Sequence, residues 1–371
     1  MATVDAPKKR RSSAQPFARD KIYGHMDRVS EWLRTGQSRP VTMELDLTNL
    51  CNQACPHCFG YTPERDVSRM HAEEALRLVD QIKALGVRGL TFTGGGDPLT
   101  SPACLPVVER ARDIGLDVGF ITNGQALDEE KSRALLRCCQ WIRVSVDAAT
   151  PEVFQLTHGM GPGAFAKVLD NVRRLGALKR ETSSSCTVGI GFLTSNESKS
   201  DIYAFARLGK ELGVDYAQYR PLLRRHGAAD IDYSDGQILA EMRRAAELSG
   251  EGYRVVCSEH KYELIARGRT ERDYGKCHGQ HFAAVTAADK KMYVCCHMRG
   301  VEKYGIGDLS KQSLEEVWFS ERRRRVADSV DFRDCPPLCR CDCFNSILWK
   351  IKEEGAPAEP CRQAQEHPNF I

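Results

Sequence analysis

Three cysteines lie within eight residues directly after the first strand-like segment, in the run Cys51-Asn-Gln-Ala-Cys55-Pro-His-Cys58. Three thiolates on one loop can hold three irons of a cubane cluster, and they leave the fourth iron without a protein ligand. A catalytic metal site needs such an open coordination position, whereas a structural site avoids it. Zinc is the alternative, but His57, the available fourth ligand, shares the loop too tightly with the cysteines.

The other cysteines are concentrated near the C-terminus, where eight of the 16 fall between residues 277 and 361. No apolar stretch approaches a membrane span and no signal-peptide core is present, so we expect a cytoplasmic protein. A reducing cytosol does not favour disulfides, and clustered cysteines there are more often metal ligands. The C-terminal group consists of Cys277, Cys295, Cys296, Cys335, Cys339, Cys341, Cys343 and Cys361.

Strand-like and helix-like segments alternate between residues 41 and 219. Repeated strand–helix units imply parallel strands with right-handed crossovers, so the sequence predicts an α/β domain. Six units fit either a partial (β/α)6 TIM-like barrel or an open doubly wound sheet, and periodicity does not separate the two. The predicted strands are 41–47, 87–92, 117–121, 142–146, 187–193 and 214–219, with two more short strands within 282–295.

The C-x3-C-x2-C spacing resembles the radical S-adenosylmethionine (radical SAM) superfamily, and further motifs similar to that family follow in order. Gly95-Gly-Asp97-Pro is similar to the Gly-Gly-Glu-Pro element whose backbone meets the methionine amino group, with Asp97 in place of Glu. Ile121-Thr-Asn-Gly, Ser145-Val-Asp-Ala-Ala-Thr-Pro with His158-Gly downstream, and Val188 to Glu197 resemble the later strand ends. The resemblance implies that the cofactor is bound by His57, Phe59, Gly95, Gly96, Asp97, Asn123, Ser145, Asp147 and Thr194.

The C-terminal cysteines resemble the SPASM/Twitch domains that follow some radical SAM barrels. The resemblance implies one auxiliary [4Fe–4S] cluster, held by the hairpin pair Cys277 and Cys295 with Cys335 and Cys339. Eight thiols suffice for two clusters, so a second one stays open, and zinc is the alternative. The further candidate ligands are Cys341, Cys343 and Cys361.

The resemblance implies that the fold is a partial barrel followed by a small cysteine-rich iron–sulfur domain. The predicted divisions are an N-terminal tail and helix (1–40), the radical SAM barrel (41–225), a linker with a helical segment (226–270) and the SPASM/Twitch domain (271–371).

The resemblance also implies a mechanism. A [4Fe–4S] cluster binds S-adenosylmethionine and reduces it, and the resulting 5′-deoxyadenosyl radical abstracts hydrogen from the substrate. If the auxiliary cluster then accepts an electron, the outcome is a two-electron oxidation, for example of an alcohol to a ketone. If a thiol returns a hydrogen atom, with Cys186 or Cys257 as candidate donors, the outcome is epimerisation; a dehydratase is a further alternative. Tyr219 and Arg220 are candidates for holding a hydroxylated substrate.

Two substrate classes compete. The chain resembles the inosamine and spectinomycin-pathway dehydrogenases of aminoglycoside and aminocyclitol biosynthesis, which predicts a sugar or aminocyclitol substrate. Peptide-modifying SPASM maturases are the alternative, but they frequently carry an N-terminal leader-binding domain, and only about forty residues precede the first strand here. A non-catalytic iron–sulfur electron carrier is a third hypothesis. We expect a flavodoxin- or ferredoxin-type electron donor, no membrane partner and, with a formal charge of +3, no nucleic acid.

Overall fold

The computed structural model describes residues 20–58, 67–222, 236–267, 271–336, 339–355 and 366–371. Within these ranges ten strands form a single sheet. The strands are β1 (Thr42–Asp46), β2 (Gly89–Thr93), β3 (Asp117–Thr122), β4 (Trp141–Ser145), β5 (Thr187–Thr194), β6 (Tyr216–Pro221), β7 (Arg254–Cys257), β8 (Ala283–Thr286), β9 (Lys291–Tyr293) and β10 (Gly305–Asp308). Their order in the sheet is β10-β9-β8-β1-β2-β3-β4-β5-β6-β7.

Strands β1 to β7 pair with their neighbours in parallel, each after a crossover that contains at least one helix. The α/β partial barrel with a C-terminal cysteine-rich domain, predicted from the sequence, is confirmed. The seventh parallel strand, β7, was not predicted, because its four residues lie in a stretch without clear periodicity. The two short strands expected within 282–295 are present as β8 and β9.

Twelve α-helices lie within the described residues, and most of them cover the outer face of the sheet. They are α1 (Met26–Thr35), α2 (Ala72–Ala84), α3 (Cys104–Asp113), α4 (Glu129–Cys138), α5 (Pro151–His158), α6 (Pro162–Glu181), α7 (Ile202–Leu212), α8 (Gln237–Ala246), α9 (Glu259–Ala266), α10 (Leu314–Trp318), α11 (Glu321–Asp328) and α12 (Asp342–Glu353). Among these residues, no helix combines the length and the apolar character needed to cross a lipid bilayer.

The alternation of side chains along the strands separates a helix-covered core from a polar interior. In β1, Met43 and Leu45 belong to the main hydrophobic cluster, together with the apolar face of α2. Because successive side chains of a strand point to opposite faces, Glu44 and Asp46 face the inside of the barrel. Both are buried, and both form ion pairs there.

The cysteine-rich segment continues the barrel sheet. Strand β8 pairs in parallel with β1, from Thr42 opposite Ala283 to Leu45 opposite Thr286, and β9 and β10 extend the sheet antiparallel. The thiols that follow β9 therefore lie beside β1, the strand that leads into the loop of Cys51.

The described C-terminal residues, 366–371, lie across the N-terminal ends of the barrel strands. Asn369 Nδ2 donates to Asp117 Oδ2 at 2.7 Å, and His367 Nε2 lies 3.0 Å from Thr187 Oγ1. The Phe370 ring meets the Trp141 ring edge-on, with centroids 5.3 Å apart. This segment closes the end of the barrel opposite the cysteine loop.

Candidate active site

The loop of three cysteines leaves the C-terminal end of β1. It docks on the end of α5, where the Ala54 N–H donates to the carbonyl of His158 at 3.1 Å, and it turns so that the Cys58 N–H donates to the Cys55 carbonyl at 3.2 Å. Cys51 and Cys55 are half-buried and Cys58 is exposed.

The electrostatics of this loop fit a cationic cluster. Burial raises the pKa of the Cys55 thiol, and the negative charges of Cys58, Asp147 and Cys51 raise it further. Thiolates that repel one another in this way are stabilised by a bound metal centre. Among the described residues, no three His, Cys, Asp or Glu side chains are arranged to hold a single metal ion. The donor set of three thiols on one loop fits an iron–sulfur cluster.

The loop after β2 packs directly against the cysteine loop. The Gly96 N–H donates to the Thr48 carbonyl at 2.9 Å, and the Asp97 N–H donates to the Leu50 carbonyl at 3.0 Å. A Cβ atom on Gly96 would lie 1.9 Å from the Leu50 oxygen, and one on Gly95 would lie 2.2 Å from Asn49 Oδ1. The two glycines therefore allow the close approach of two loops, in addition to any approach of the cofactor.

The Asp97 side chain is turned away from the opening of the site. Its carboxylate is buried and accepts hydrogen bonds from the Asn123 N–H (2.6 Å), Thr122 Oγ1 (2.8 Å) and the Leu99 N–H (2.9 Å). Burial raises the pKa of Asp97, and these three hydrogen bonds oppose the shift. The side chain of Asp97 therefore positions the end of β3, and the predicted cofactor contact, which the resemblance assigns to the backbone of this element, stays a prediction.

Asp147, after β4, and Glu197, after β5, face the cysteine loop. Asp147 has a left-handed backbone, with φ of 50°, and its Oδ1 accepts the Leu193 N–H at 2.5 Å. Burial raises the pKa of Asp147 to about 6. His57 Nε2 lies 3.3 Å from Glu197 Oε2, which joins the cysteine loop to the loop after β5.

Two other predicted cofactor residues lie at the ends of β4 and β5. Ser145 ends β4 and is half-buried. The Thr194 hydroxyl is buried and lies 2.7 Å from the hydroxyl of Tyr262, so its side chain is held by α9. Phe59 lies outside the described residues.

Three of the four predicted catalytic side chains do not face the site. Cys186 precedes β5 at the N-terminal end of the barrel, is 1% exposed, and its thiol lies 3.9 Å from the Thr187 carbonyl. Tyr219 is on the helix-covered face, where its hydroxyl donates to the Ile202 carbonyl at 2.5 Å. Neither reaches the site, because the first is at the wrong end of its strand and the second on the wrong face. Cys257 and Arg220 do lie at C-terminal strand ends. Cys257, however, is opposite Tyr219 in the sheet register and packs against the hydrophobic core, so it is on the same helix-covered face. The catalytic roles of Cys257 and Arg220 stay predictions.

A second cavity lies beside β1 and holds the C-terminal thiols. It encloses about 720 Å³ of space not filled by protein atoms, part of it open to solvent. Six cysteines line it, namely Cys277, Cys295, Cys296, Cys335, Cys339 and Cys341.

Four of these thiols influence one another as the ligands of a shared cluster would. Burial raises the pKa of Cys277, and the charges of Cys339, Cys295 and Cys335 raise it further. Burial and the charge of Cys339 raise the pKa of Cys295 to about 12 and that of Cys335 to about 11. The four predicted ligands of one auxiliary cluster therefore converge on one cavity.

The remaining C-terminal cysteines that line the cavity agree only in part with the further ligands predicted from the sequence. Cys341 lines the cavity, and a hydrogen bond between its thiol and that of Cys339 is the main cause that lowers the pKa of Cys339 to about 7. Cys343 does not line this cavity, and Cys361 lies outside the described residues. Cys296, which was not among the predicted ligands, does line it.

Two arginines connect the auxiliary cavity to the barrel interior. Arg340, between two lining cysteines, forms an ion pair with Glu44, which also lines the cavity. Arg299 pairs with Glu44 at 2.5 Å and with Asp46 at 2.7 Å. Because both acids lie on β1, this network links the auxiliary cavity to the strand that leads into the loop of Cys51.

A partial α/β barrel with three thiols at the C-terminal end of its first strand, followed by a thiol-lined cavity, defines a class of iron–sulfur enzymes. The radical SAM superfamily model matches residues 45–207, and the model of the SPASM iron–sulfur cluster-binding domain matches residues 277–344. The chain therefore contains a radical SAM domain followed by a SPASM domain, and its cofactors are a [4Fe–4S] cluster, S-adenosylmethionine and auxiliary iron–sulfur bound by the second domain.

The chain is similar to curated relatives and to solved structures. The AdoMet-dependent heme synthase of Methanosarcina barkeri is 24% identical over 81% of this chain and 88% of its own length. The mycofactocin maturase MftC of Mycobacterium tuberculosis is 28% identical over 66% of this chain, which spans 60% of that protein. The structure of Streptococcus suis SuiB bound to precursor peptide SuiA is similar in fold, with a TM-score of 0.61 and 14% identity. The match includes 100% of this chain and 85% of the SuiB chain. None of the three is an aminocyclitol dehydrogenase, so that finer resemblance stays a prediction.

Proposed function

We propose that this protein is a radical SAM enzyme that oxidises a peptide substrate, with the auxiliary cluster as electron acceptor. The observation that carries the proposal is the shared position of Glu44, which lies on the barrel interior and also lines the cavity of auxiliary thiols. An electron acceptor held there is adjacent to a substrate bound in the barrel. The similarity to a maturase and to a fold that binds a precursor peptide favours a peptide over the sugar predicted from the sequence.

When bound, the cluster and S-adenosylmethionine supply the radical that abstracts hydrogen from the substrate. The chain's own residues prepare the place where this happens. The cysteine loop is fixed between the glycine loop after β2 and the end of α5. His57 and Glu197 close the side next to β5, and the tail at 366–371 closes the opposite end of the barrel. Such closure excludes water, which would otherwise quench a reactive radical.

The test uses the anaerobically reconstituted full chain with a reductant, S-adenosylmethionine and short peptides encoded beside its gene. We expect 5′-deoxyadenosine together with a peptide that has lost two hydrogens, read by mass spectrometry. Formation of 5′-deoxyadenosine without any peptide product, together with turnover of a small molecule, would overturn the peptide assignment.

Oxidation of a small hydroxylated molecule, such as a sugar or aminocyclitol, is the second candidate. A small-molecule substrate in general, rather than a sugar in particular, is favoured by the heme synthase relative, because heme is not a peptide and this relative matches more of the chain than the maturase does. The same assay separates the two candidates, because a small-molecule enzyme would oxidise aminocyclitols and leave every peptide unchanged.

A further inference from the structure

Two arginines project into the barrel interior from strands on either side of β5. Arg143 is on β4 and Arg220 near the end of β6. Gly191 of β5 leaves room between them, since a Cβ atom there would lie 3.3 Å from Arg143 Cδ. Arg143 extends past this gap, and its Nη1 donates to Gln218 Oε1 at 2.7 Å.

Within the part of the chain that the structure describes, neither guanidinium group has an acidic side chain within ion-pair distance. Arg143 is 7% exposed, and the Nε atoms of Arg143 and Arg220 are both buried without a hydrogen-bond partner in the described structure. Among the described residues, neither side chain forms an ion pair within 4.0 Å. Burial and the positive charge of Arg220 lower the pKa of Arg143 to about 9, so it is still charged at neutral pH.

The negative charge of Asp147 interacts with the charges of both arginines, but this one carboxylate does not balance two guanidinium groups. Its charge raises the pKa of Arg143, but its Oδ1 is engaged by the Leu193 N–H and its Oδ2 lies 3.8 Å from His158 Nε2. The group of two arginines and one ionised carboxylate carries one net positive charge. Buried charges are costly unless they are paired, so this arrangement is complete only with an anion.

We propose that Arg143 and Arg220 bind a carboxylate group of the substrate inside the barrel. The planar guanidinium presents paired N–H donors that match a carboxylate. One net positive charge suits a singly charged carboxylate better than a doubly charged phosphate. The identity of the carboxylate rests on the proposed function: a peptide supplies one from its C-terminus or from an acidic side chain.

Propionate is the probe for this site, and propionamide is its uncharged analogue. With the reconstituted full chain at constant ionic strength, we expect propionate to raise the melting temperature saturably, and propionamide to leave it unchanged. Arg143→Gln and Arg220→Gln should each abolish the rise, and Arg143→Lys, which keeps the charge, should retain part of it. An equal rise in both Gln variants, or no rise in the native chain, would overturn the proposal. Circular dichroism verifies folding, and the partly exposed Arg220 provides the test if the Arg143 variants do not fold.

Arg207→Gln is the matched control, because Arg207 is 65% exposed on α7 and pairs with Glu211. Its response to propionate should equal that of the native chain. The titration is repeated with saturating S-adenosylmethionine, which also carries a carboxylate. If that ligand eliminates the propionate effect, the two arginines hold the cofactor carboxylate, and the substrate assignment is wrong.

Peptide variants identify the source of the carboxylate once a modified peptide is known. Amidation of the C-terminus and replacement of acidic side chains by amides are compared, and the change that matters should raise KM by about 10- to 100-fold. The propionate experiment needs no peptide, so it succeeds or fails independently of the proposed function.

Discussion

The side-chain amide of Asn123 donates a hydrogen bond to Cys51 Sγ across 3.5 Å. The same Nδ2 donates to Asn52 Oδ1 at 2.7 Å, and the Asn123 backbone N–H is held by Asp97 at 2.6 Å. One residue at the end of β3 therefore ties the cysteine loop to the loop after β2. The arrangement gives Asn123 a role in orienting a cluster ligand.

Replacing Asn123 by alanine should lower the reduction potential of the radical SAM cluster. Hydrogen bonds to ligand sulfur stabilise the reduced, more negative cluster, and one such bond is worth about 1 kcal/mol, or tens of millivolts. The measurement is an EPR-monitored redox titration of the reconstituted chain. Gln125→Ala, two residues away, is the control, and an unchanged potential in Asn123→Ala would refute the role of this hydrogen bond.

Replacing Asp97 by alanine should destabilise the fold by about 3 kcal/mol. The change leaves three hydrogen-bond donors without their acceptor. Each unsatisfied donor costs about 1–3 kcal/mol, and water that enters the site and accepts from the donors reduces this cost. Denaturant unfolding of the purified chain measures the loss. Asp113→Ala removes a 66% exposed carboxylate at the end of α3 and should change the free energy of unfolding by less than about 0.5 kcal/mol. Similar losses in the two variants would show that the Asp97 hydrogen bonds do not matter.

The strands that position the site could be predicted because their apolar segments alternate with helices. The alternation of side chains along a strand also limits which of the predicted catalytic residues can share a site. Tyr219 and Arg220 are adjacent in β6 and must face opposite sides, so they cannot both contact a substrate in the barrel. Cys186 precedes its strand, and in a parallel barrel that places it opposite the catalytic end.

Other features of the fold could not be predicted from the sequence, because they depend on pairing between segments that are distant in the chain. Nothing local in 283–286 specifies that β8 joins β1, although this pairing brings the auxiliary thiols beside Glu44. Ser313 and Glu316 form a capping box that starts a helix, but this helix ends at Trp318 and a new one begins after Ser320. Arg323 of that second helix is buried against the Trp318 ring at 3.8 Å, a contact that a run of four arginines does not reveal.

Acidification should loosen the tail that closes the barrel. Burial lowers the pKa of His367 to about 4, from 6.5, and the positive charge of Lys21 contributes. The unfolded chain therefore binds a proton at this residue more readily, so stability is present above pH 6.5 and is lost as the pH falls toward 4. We expect His367→Asn to reduce the change in unfolding free energy between pH 7 and pH 5 by about 1–2 kcal/mol. An identical pH dependence in native and variant chains would contradict this.

Replacing Cys55 by alanine should abolish 5′-deoxyadenosine formation while the auxiliary cluster persists. The substitution removes one of three thiols from the loop after β1 and leaves the cavity beside β8 intact. Iron and sulfide analysis should then show the loss of about one cluster per chain. Cys138→Ala, in α4 and away from both sites, should keep the native iron content; 5′-deoxyadenosine from Cys55→Ala would disprove the ligand assignment.

Replacing Cys339 by alanine should separate cleavage of S-adenosylmethionine from oxidation of the substrate. The charge of Cys339 acts on Cys277, Cys295 and Cys335, so it occupies the centre of the auxiliary set, yet it is not part of the cysteine loop after β1. We therefore expect 5′-deoxyadenosine formation within about threefold of the native rate, and oxidised product reduced at least tenfold, a difference of about 1.4 kcal/mol in barrier. Both products are quantified in one reaction, and Cys138→Ala serves again as the control. Equal loss of both products in a folded variant would mean that the auxiliary cluster is structural and accepts no electron.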